Sequence, residues 1–214
     1  VTQSPSNRRR VNTQDVEAVY GTRAEAQAAE PVLRTVAAAQ QIDTMGLSLN
    51  SLCQGISDVT LVELIEGGLT IRAAFLDPDS AATRAREDEE GHRAGELRDL
   101  TKTNMRMLER VRARLSGEAV DRLQVRTYAG PLRLTVMIAD QRRAHVQWYL
   151  PHARGIDSPT VVVEADERYP HGLFPVVDSV FIQTWEQAKP LLKLSPKLLA
   201  KPSIWPSISL RPLR

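Results

Sequence analysis

The chain has 214 residues, a length typical of one domain. Hydrophobic residues make up 42% of it and aromatic residues only 5%, so a core would consist mainly of aliphatic side chains. The net charge of +2 is too small to indicate a nucleic-acid or membrane partner. The single cysteine, Cys53, excludes an intrachain disulfide and a metal site built on paired cysteines.

The sequence indicates a protein outside membranes. No stretch approaches the roughly 18 to 20 consecutive apolar residues of a membrane span. Arg8, Arg9 and Arg10 are followed by no apolar run, so a secretory signal is not expected. Together with the lone cysteine, these features predict a soluble cytoplasmic protein with no membrane partner.

Three segments differ in composition. Residues 1–14 are polar and basic and are predicted to form a flexible arm, whereas residues 15–189 hold the periodic segments of one domain. Residues 190–214 form a proline-rich basic tail. Two interpretations of the tail stay open: an extended segment packed on the surface or on a partner, and a phosphate-binding arm.

The first half of the chain alternates between helical and strand-like patterns. Thr13 is a candidate helix cap with Glu17 four residues later, which predicts a helix that begins at Gln14. The next predicted elements are a helix over 24–39 interrupted at Pro31, a strand over 42–49, a helix over 59–66 closed by Gly67 and Gly68, a strand over 69–76, and a long helix over 81–116 broken near Gly91 and Gly95.

The second half is dominated by strand patterns. Strands are predicted over 123–128, 132–139, 144–150 and 159–164, with a hairpin turn at 140–143 and a closing helix over 173–189. This order of elements predicts an α/β fold with a mixed β-sheet flanked by helices on both faces.

Most enzyme signatures are absent from the sequence. It contains no GxGxxG, P-loop, GxSxG or HExxH pattern, and its four histidines have no metal-ligand spacing. We therefore expect no cofactor and no metal. His145 and Gln147 lie two residues apart on a predicted strand, so their side chains point to the same face.

Polar residues cluster at the ends of predicted strands. In open α/β sheets, ligands bind beyond the carboxyl ends of the strands. Hydroxyls, amides, guanidinium groups and carboxylates at one edge would suit an anionic small molecule. The candidates of this kind are Ser48, Asn50, Asp77, Ser80, Asn104, Tyr128, Arg133, Gln147, Arg154 and Ser158.

Each candidate also has a structural interpretation. Asp77-Pro78-Asp79-Ser80 is a strong turn and helix-start signal. Ser48 and Asn50 can cap the next helix, and the segment from Arg154 to Asp157 can be a turn with an internal ion pair. Only the shared location at strand ends favours a binding site.

Five phrases of the sequence together resemble a known family. They are Val19–Arg23, Met45–Asn50, Arg72–Ser80, Val125–Tyr128 and Tyr149–Thr160. The region from about 15 to 190 resembles a domain of unknown function that is common in actinobacteria, often follows a Cro/repressor-type helix-turn-helix, and looks related to the phospholipase D superfamily. The resemblance implies a single phospholipase D-like lobe.

The resemblance also implies which residues of this chain occupy the positions of that superfamily's catalytic motif. Its HxKxxxxD signature aligns with Arg133, Thr135 and Asp140, so the nucleophilic histidine and the phosphate-binding lysine are replaced. Arginine is always protonated and is a poor nucleophile, which argues against phosphohistidine chemistry. Arg133 and Asp140 would then be ligand contacts. Lobes of this superfamily face each other in pairs, which implies a homodimer or a heterodimer with a paralogous chain.

Three functions are consistent with these features. Residues 1–14 are too short for a helix-turn-helix, so we expect a stand-alone enzyme or enzyme subunit that displaces a phosphate or sulfate group, for example in a ring closure. Ser48, Asn104 and Arg133 would bind the leaving anion, and Asp77 or Asp140 would act as base. The alternatives are a sensor of an anionic metabolite and a non-catalytic subunit of a paralogous enzyme.

Overall fold

The computed structural model describes residues 15–191, which form one sheet between two helical layers. The strands are β1 (Val16–Tyr20), β2 (Gln41–Gly46), β3 (Thr70–Leu76), β4 (Leu123–Tyr128), β5 (Leu134–Ala139), β6 (Arg143–Trp148), β7 (Thr160–Glu164) and β8 (Lys189–Pro190). The helices are α1 (Arg23–Ala29), α2 (Val32–Ala38), α3 (Asn50–Gly55), α4 (Asp58–Glu66), α5 (Ala81–Glu89), α6 (Glu96–Arg112) and α7 (Leu173–Gln187).

The sheet is mixed, as the sequence predicts. Its strand order is β1-β7-β6-β5-β2-β3-β4-β8, and β2, β3 and β4 run parallel while the other neighbours run antiparallel. As a result β1, β2, β3, β4 and β6 all end at one edge, where β5 and β7 begin. We call this edge the carboxyl edge. It gathers loops from most of the chain.

Side-chain alternation along the strands divides the core into two layers. Ile71, Ala73 and Phe75 of β3 face the layer formed by α2, α3, α4 and α6. Ala74 and Leu76 face the opposite layer, formed mainly by α7. Phe174, Val177, Phe181 and Trp185 are the buried residues of α7. The sheet is thus covered on both faces, which confirms the predicted α/β architecture.

The first element of the domain is a strand and not the predicted helix. β1 pairs antiparallel with β7, with Tyr20 opposite Thr160. Its Val-Glu-Ala-Val-Tyr sequence alternates between half-buried and exposed positions and is rich in residues that favour strands. Hydrogen bonding along a whole strand outweighs a local capping signal. Asp15, just before β1, accepts a hydrogen bond from the Phe174 backbone N–H at 2.8 Å, which joins this end to α7.

The predicted helix breaks are confirmed. Pro31 separates α1 from α2, and the long charged segment divides into α5 and α6. Gly91 and Gly95 lie between those two helices with φ of 69° and 87°, a conformation that favours glycine. The short helix α3 was not predicted, because six residues carry too little periodicity to be recognised.

The ends of the chain are only partly described. Residues 1–14, the predicted arm, lie outside the described residues, as do residues 192–214 of the predicted tail. Pro190, the first residue of that tail, pairs with Arg126 at the edge of the sheet. Within residues 15–191 no helix combines the length and the apolar character needed to cross a bilayer.

Gly46, the last residue of β2, allows a close approach to β5. A Cβ atom at this position would lie 2.6 Å from the Oγ1 atom of Thr135. The Thr135 hydroxyl in turn shares a hydrogen bond of 2.7 Å with the Tyr149 hydroxyl. A side chain at position 46 would therefore disturb the packing of the carboxyl edge.

We predict that Gly46→Ala lowers the free energy of unfolding by about 2 kcal/mol, because the added methyl group overpacks this contact. In a Thr135→Ala background the same change should cost clearly less, since the colliding hydroxyl is gone. Urea denaturation of both single variants and the double variant measures this coupling. Gly130→Ala, whose added Cβ meets nothing within 4 Å, is the control. If the losses of unfolding free energy in the two single variants simply added up in the double variant, the contact between position 46 and Thr135 would be contradicted.

Candidate functional site

A cleft opens at the carboxyl edge, between the sheet and the helices α1 and α2. It consists of an outer chamber of about 520 Å³ and an inner cavity of about 70 Å³. The residues that line both are Arg23, Gln27, Val32, Ser48, Asn50, Ser51 and Tyr149. The two spaces therefore adjoin, and the inner cavity is the deep end of one cleft.

The floor of the inner cavity is a row of polar side chains on the sheet. Thr135, Gln147 and Thr160 lie opposite one another across β5, β6 and β7. Because residues in register share a face, all three side chains point toward the helices. His145, two residues before Gln147 on β6, lines the same cavity.

The roof of the inner cavity is one face of α1. Arg23, Ala26, Gln27 and Glu30 line the cavity, and their spacing places them on one stripe of a helix. Thr22 caps the helix, since its hydroxyl accepts a hydrogen bond from the Glu25 backbone N–H at 3.1 Å. The cap fixes where α1 begins and so fixes the position of Arg23.

Three buried polar atoms around the inner cavity have no hydrogen-bond partner within the described residues. They are Arg23 Nε, His145 Nε2 and Thr160 Oγ1. A fourth such atom, Thr101 Oγ1, belongs to α6. Leaving a buried polar group unpaired costs about 1–3 kcal/mol. Three in one cavity therefore indicate a space built to hold a polar group.

Arg23 places a positive charge where the two spaces of the cleft meet. Burial lowers the pKa of its guanidinium, and Glu90 and Asp157 favour its charged form through space. Arginine nevertheless stays protonated in proteins, so Arg23 brings a positive charge to the junction of the two spaces. The exposed Arg154 lines the outer chamber and adds a second positive charge there.

Tyr149 forms a wall between the outer chamber and the sheet. Its hydroxyl bonds the Thr135 hydroxyl at 2.7 Å and accepts from the Leu47 backbone N–H at 3.4 Å. Burial raises the pKa of the phenol, so Tyr149 is neutral. Its ring is covered by the Arg86 guanidinium, 4.9 Å from the ring centroid.

Arg86 holds the loop that carries Arg154. Its side chain is only 2% exposed, yet it bonds Glu90 Oε1 at 2.6 Å. The same guanidinium donates to the carbonyl oxygens of Leu150 at 3.0 Å and Ala153 at 2.6 Å. The segment between Tyr149 and Arg154 is therefore anchored by one buried cation of α5.

His145 and Glu30 meet at the far end of the inner cavity. His145 Nε2 lies 3.5 Å from Glu30 Oε2. Burial lowers the pKa of His145, so its imidazole is neutral at neutral pH. Burial acts to raise the pKa of Glu30, but hydrogen bonds from Arg143 and Tyr20 and the charge of Arg143 hold it below its usual value. Glu30 is therefore ionised.

Four of the residues predicted from the sequence lie in this cleft. Ser48 and Asn50 line both spaces, Gln147 lines the inner cavity, and Arg154 lines the outer chamber. The predicted clustering at strand ends therefore holds for these four. The others lie outside the cleft, and their placement corrects the roles expected of them.

Asn104 is a structural clamp and not a ligand contact. Its side-chain amide donates to the Ser48 carbonyl oxygen and to Asn50 Oδ1, both at 2.6 Å, and its oxygen accepts from Gln54 at 3.4 Å. Both N–H donors of the amide are thus used. Asn104 holds the start of α3, where Leu49 has a left-handed φ of 49°.

Asp77 and Ser80 form the predicted turn and helix cap. The Asp77 carboxylate accepts from the Asp79 backbone N–H at 2.9 Å, and the Ser80 hydroxyl accepts from the Thr83 backbone N–H at 3.2 Å. Neither lines the cleft. Tyr128 ends β4 inside the α7 layer, where burial strongly raises the pKa of its phenol.

The remaining three candidates lie away from the cavity for different reasons. Arg133 is exposed just before β5 and lines neither space. Asp140 lies at the opposite edge, where its carboxylate accepts from the backbone N–H groups of Gln40 and Gln41, both at 2.8 Å. Ser158 is fully buried and donates to the Arg154 carbonyl oxygen at 3.2 Å.

Sequence reasoning missed several residues of the cleft. Arg23, Gln27 and Glu30 were not candidates, although their spacing on one helix face was a usable signal. His145 was noticed beside Gln147 but not chosen. Thr160 gave no local signal, because only its register against Gln147 brings it to the floor.

The fold and the cleft define an α/β domain with a site sized for a small molecule. The chain belongs to the family described as a domain of unknown function (DUF5919), whose model matches residues 12–192. No curated protein matches the sequence. In the described residues, His, Cys, Asp and Glu side chains form no group of three able to hold a metal ion.

Two solved structures are similar in part. TrmBL2, an archaeal chromatin protein described with a novel mode of DNA binding, is 13% identical with a TM-score of 0.47, over 85% of this chain. This chain spans only 56% of TrmBL2. Nuc from Salmonella typhimurium, a phospholipase D family member, is also 13% identical with a TM-score of 0.47, over 81% of this chain and 97% of Nuc. Likeness at this level transfers no activity.

We predict that the stability of the protein falls as the pH is lowered from 7.5 to 5.5, partly because of His145. The folded state lowers the pKa of His145 below its ordinary 6.5. As the pH falls through 6.5, the unfolded chain then binds more protons than the folded one. The free energy of unfolding decreases as a result, by at most about 1.4 kcal/mol per pH unit. Glu30 contributes only at lower pH, since its folded pKa lies below 4.5.

Urea denaturation across this pH range should show a smaller decrease for His145→Gln than for the wild type. His171→Gln, at an exposed position, is the matched control and should keep the wild-type slope. An unchanged slope in His145→Gln would show that the imidazole does not titrate differently in the folded state.

Proposed function

We propose that the cleft at the carboxyl edge binds a small anionic molecule and that Arg23 is its main contact. The observation that carries this proposal is the Arg23 Nε atom, which is buried at the junction of the two spaces without a hydrogen-bond partner among the described residues. A guanidinium whose buried Nε–H donor is unused favours a phosphate, sulfate or carboxylate group.

The surroundings of Arg23 support an anion. Arg154 lies on the same chamber, and Gln27, Ser48 and Asn50 offer neutral hydrogen-bonding groups. The outer chamber of about 520 Å³ is within the usual range for small-molecule sites. Sensing of an anionic metabolite and catalysis on one both require this binding step.

Displacement of a phosphate or sulfate group, such as a ring closure, is a second candidate, and His145 favours it. A neutral imidazole whose Nε2 atom has no hydrogen-bond partner among the described residues is a suitable general base in the inner cavity. In the reaction an amine of the bound molecule would form a C–N bond as the C–O bond to phosphate breaks. The amine proton would go to His145 and from there to solvent, and the departing phosphate, held by Arg23, would take up a proton from solvent.

Phosphohistidine chemistry is not part of this proposal. At the three positions aligned with the phospholipase D signature, Arg133 is exposed, Thr135 bonds Tyr149, and Asp140 bonds backbone at the opposite edge. Of the three only Thr135 lines the cleft, and its hydroxyl is engaged by Tyr149. Asp77 and Asp140 are likewise too far from the cleft to serve as the base.

We predict that Arg23→Gln weakens the binding of inorganic phosphate and of sulfate at least about tenfold, since a charged hydrogen bond contributes about 1.5–3 kcal/mol. Titration followed by isothermal calorimetry measures it. Arg34→Gln, an exposed arginine on α2 outside this cleft, is the matched control and should bind like the wild type. Equal affinity of Arg23→Gln and wild type would contradict the role of Arg23.

We predict that the wild type converts 4-aminobutyl phosphate to pyrrolidine and inorganic phosphate faster than buffer does, with ³¹P NMR as the measurement. His145→Gln should lose at least about 100-fold of that rate, the usual contribution of a general base. It should still bind phosphate, and His171→Gln should react like the wild type. Absence of phosphate release by the wild type would remove this second candidate and leave the binding proposal intact.

A further inference from the structure

The roof of the inner cavity carries opposite charges at its two ends. Arg23 begins α1 and Glu30 follows its last residue. The two are seven residues apart, about 10 Å along the helix axis. Both line the inner cavity, so the cavity has a positive end near the outer chamber and a negative end beside His145.

The carboxylates at the negative end share one close guanidinium. Among the described residues, Glu30, Glu17 and Glu164 all pair with Arg143. Arg34 and Arg142 line the adjoining pocket with Glu30, but neither forms an ion pair with it in the described part of the chain. His145 is neutral because burial lowers its pKa. Glu30 thus shares its one paired arginine with two other acids, and a further cation beside it would be favoured.

Hydrogen-bonding capacity also remains at this end. A carboxylate accepts about four hydrogen bonds. Glu30 Oε1 accepts from the Tyr20 hydroxyl at 3.0 Å and Oε2 accepts from Arg143 at 2.9 Å, which leaves positions on both oxygens. Beside it, the His145 Nε2 and Thr160 Oγ1 atoms have no hydrogen-bond partner within residues 15–191, and Thr160 is only 4% exposed.

These acceptors match one chemical group. A primary ammonium has three N–H donors and no acceptor. Glu30, His145 Nε2 and Thr160 Oγ1 provide three acceptors on the wall of one cavity. At about 70 Å³ the inner cavity has room for an ammonium and a few methylene groups and excludes a bulkier head group.

We propose that the ligand of the cleft is dipolar, with its anionic group at Arg23 and a primary ammonium in the inner cavity against Glu30, His145 and Thr160. This inference rests on the proposed anion binding and adds the chemical class of the ligand, an amine that also carries a phosphate, sulfate or carboxylate. The floor formed by Gln147 and Thr135 would contact the chain between the two charges.

Two probes that differ only in the amine test this inference. We expect the wild type to bind 4-aminobutyl phosphate at least about tenfold more tightly than butyl phosphate, as measured by calorimetry, because a charged hydrogen bond to Glu30 contributes about 1.5–3 kcal/mol. Glu30→Gln should reduce this preference to about twofold and still bind butyl phosphate. Arg23→Gln should weaken both probes.

A matched control separates Glu30 from the surrounding charges. Glu164→Gln also removes a carboxylate from Arg143, but Glu164 does not line the inner cavity, so this variant should keep the preference. Thr160→Val, which keeps the shape of the side chain and removes the hydroxyl, should lower the preference without changing the binding of butyl phosphate.

The outcomes distinguish the two proposals. Equal affinities of the wild type for the two probes, or a preference that persists in Glu30→Gln, would overturn the dipolar ligand while anion binding stands. Failure of the wild type to bind either probe would overturn the anion site itself, and the dipolar ligand with it.

Discussion

A buried arginine holds the carboxyl edge together. Arg86 is among the largest fully buried side chains of the domain, and its guanidinium bonds two acids of α5 and two loop carbonyls. A buried charge is tolerated only when nearly all its donors are used. Its stacking on Tyr149 couples α5 to the wall of the cleft, so the site depends on this one ion network.

The cleft contrasts with this network, because its polar groups are left partly unused. Arg86 uses four of its five N–H donors within the fold, whereas Arg23, His145 and Thr160 keep buried atoms without a partner among the described residues. Folding gains nothing from such atoms, and each of them costs free energy. The concentration of three such atoms on one cavity is what supports the proposed ligand site.

The same contrast separates the predicted residues that line the cleft from those that do not. Asn104 has the chemistry of a ligand contact, but Ser48 and Asn50 use both its donors. The Asp140 carboxylate likewise accepts hydrogen bonds from the backbone at the start of β2. Polar residues whose partners lie within the chain support the site, and those without such partners form it.

The sequence by itself determined the α/β class, the mixed sheet, the breaks at Pro31, Gly91 and Gly95, and the clustering of polar residues at strand ends. These follow from local rules: side-chain periodicity, the fixed φ of proline and the freedom of glycine. Tertiary structure decided which polar groups face the cleft. Thr160 meets Gln147 only through the register of β6 and β7, and Asn104 meets Ser48 across 56 residues. Such pairings depend on how distant segments pack, which no local pattern encodes.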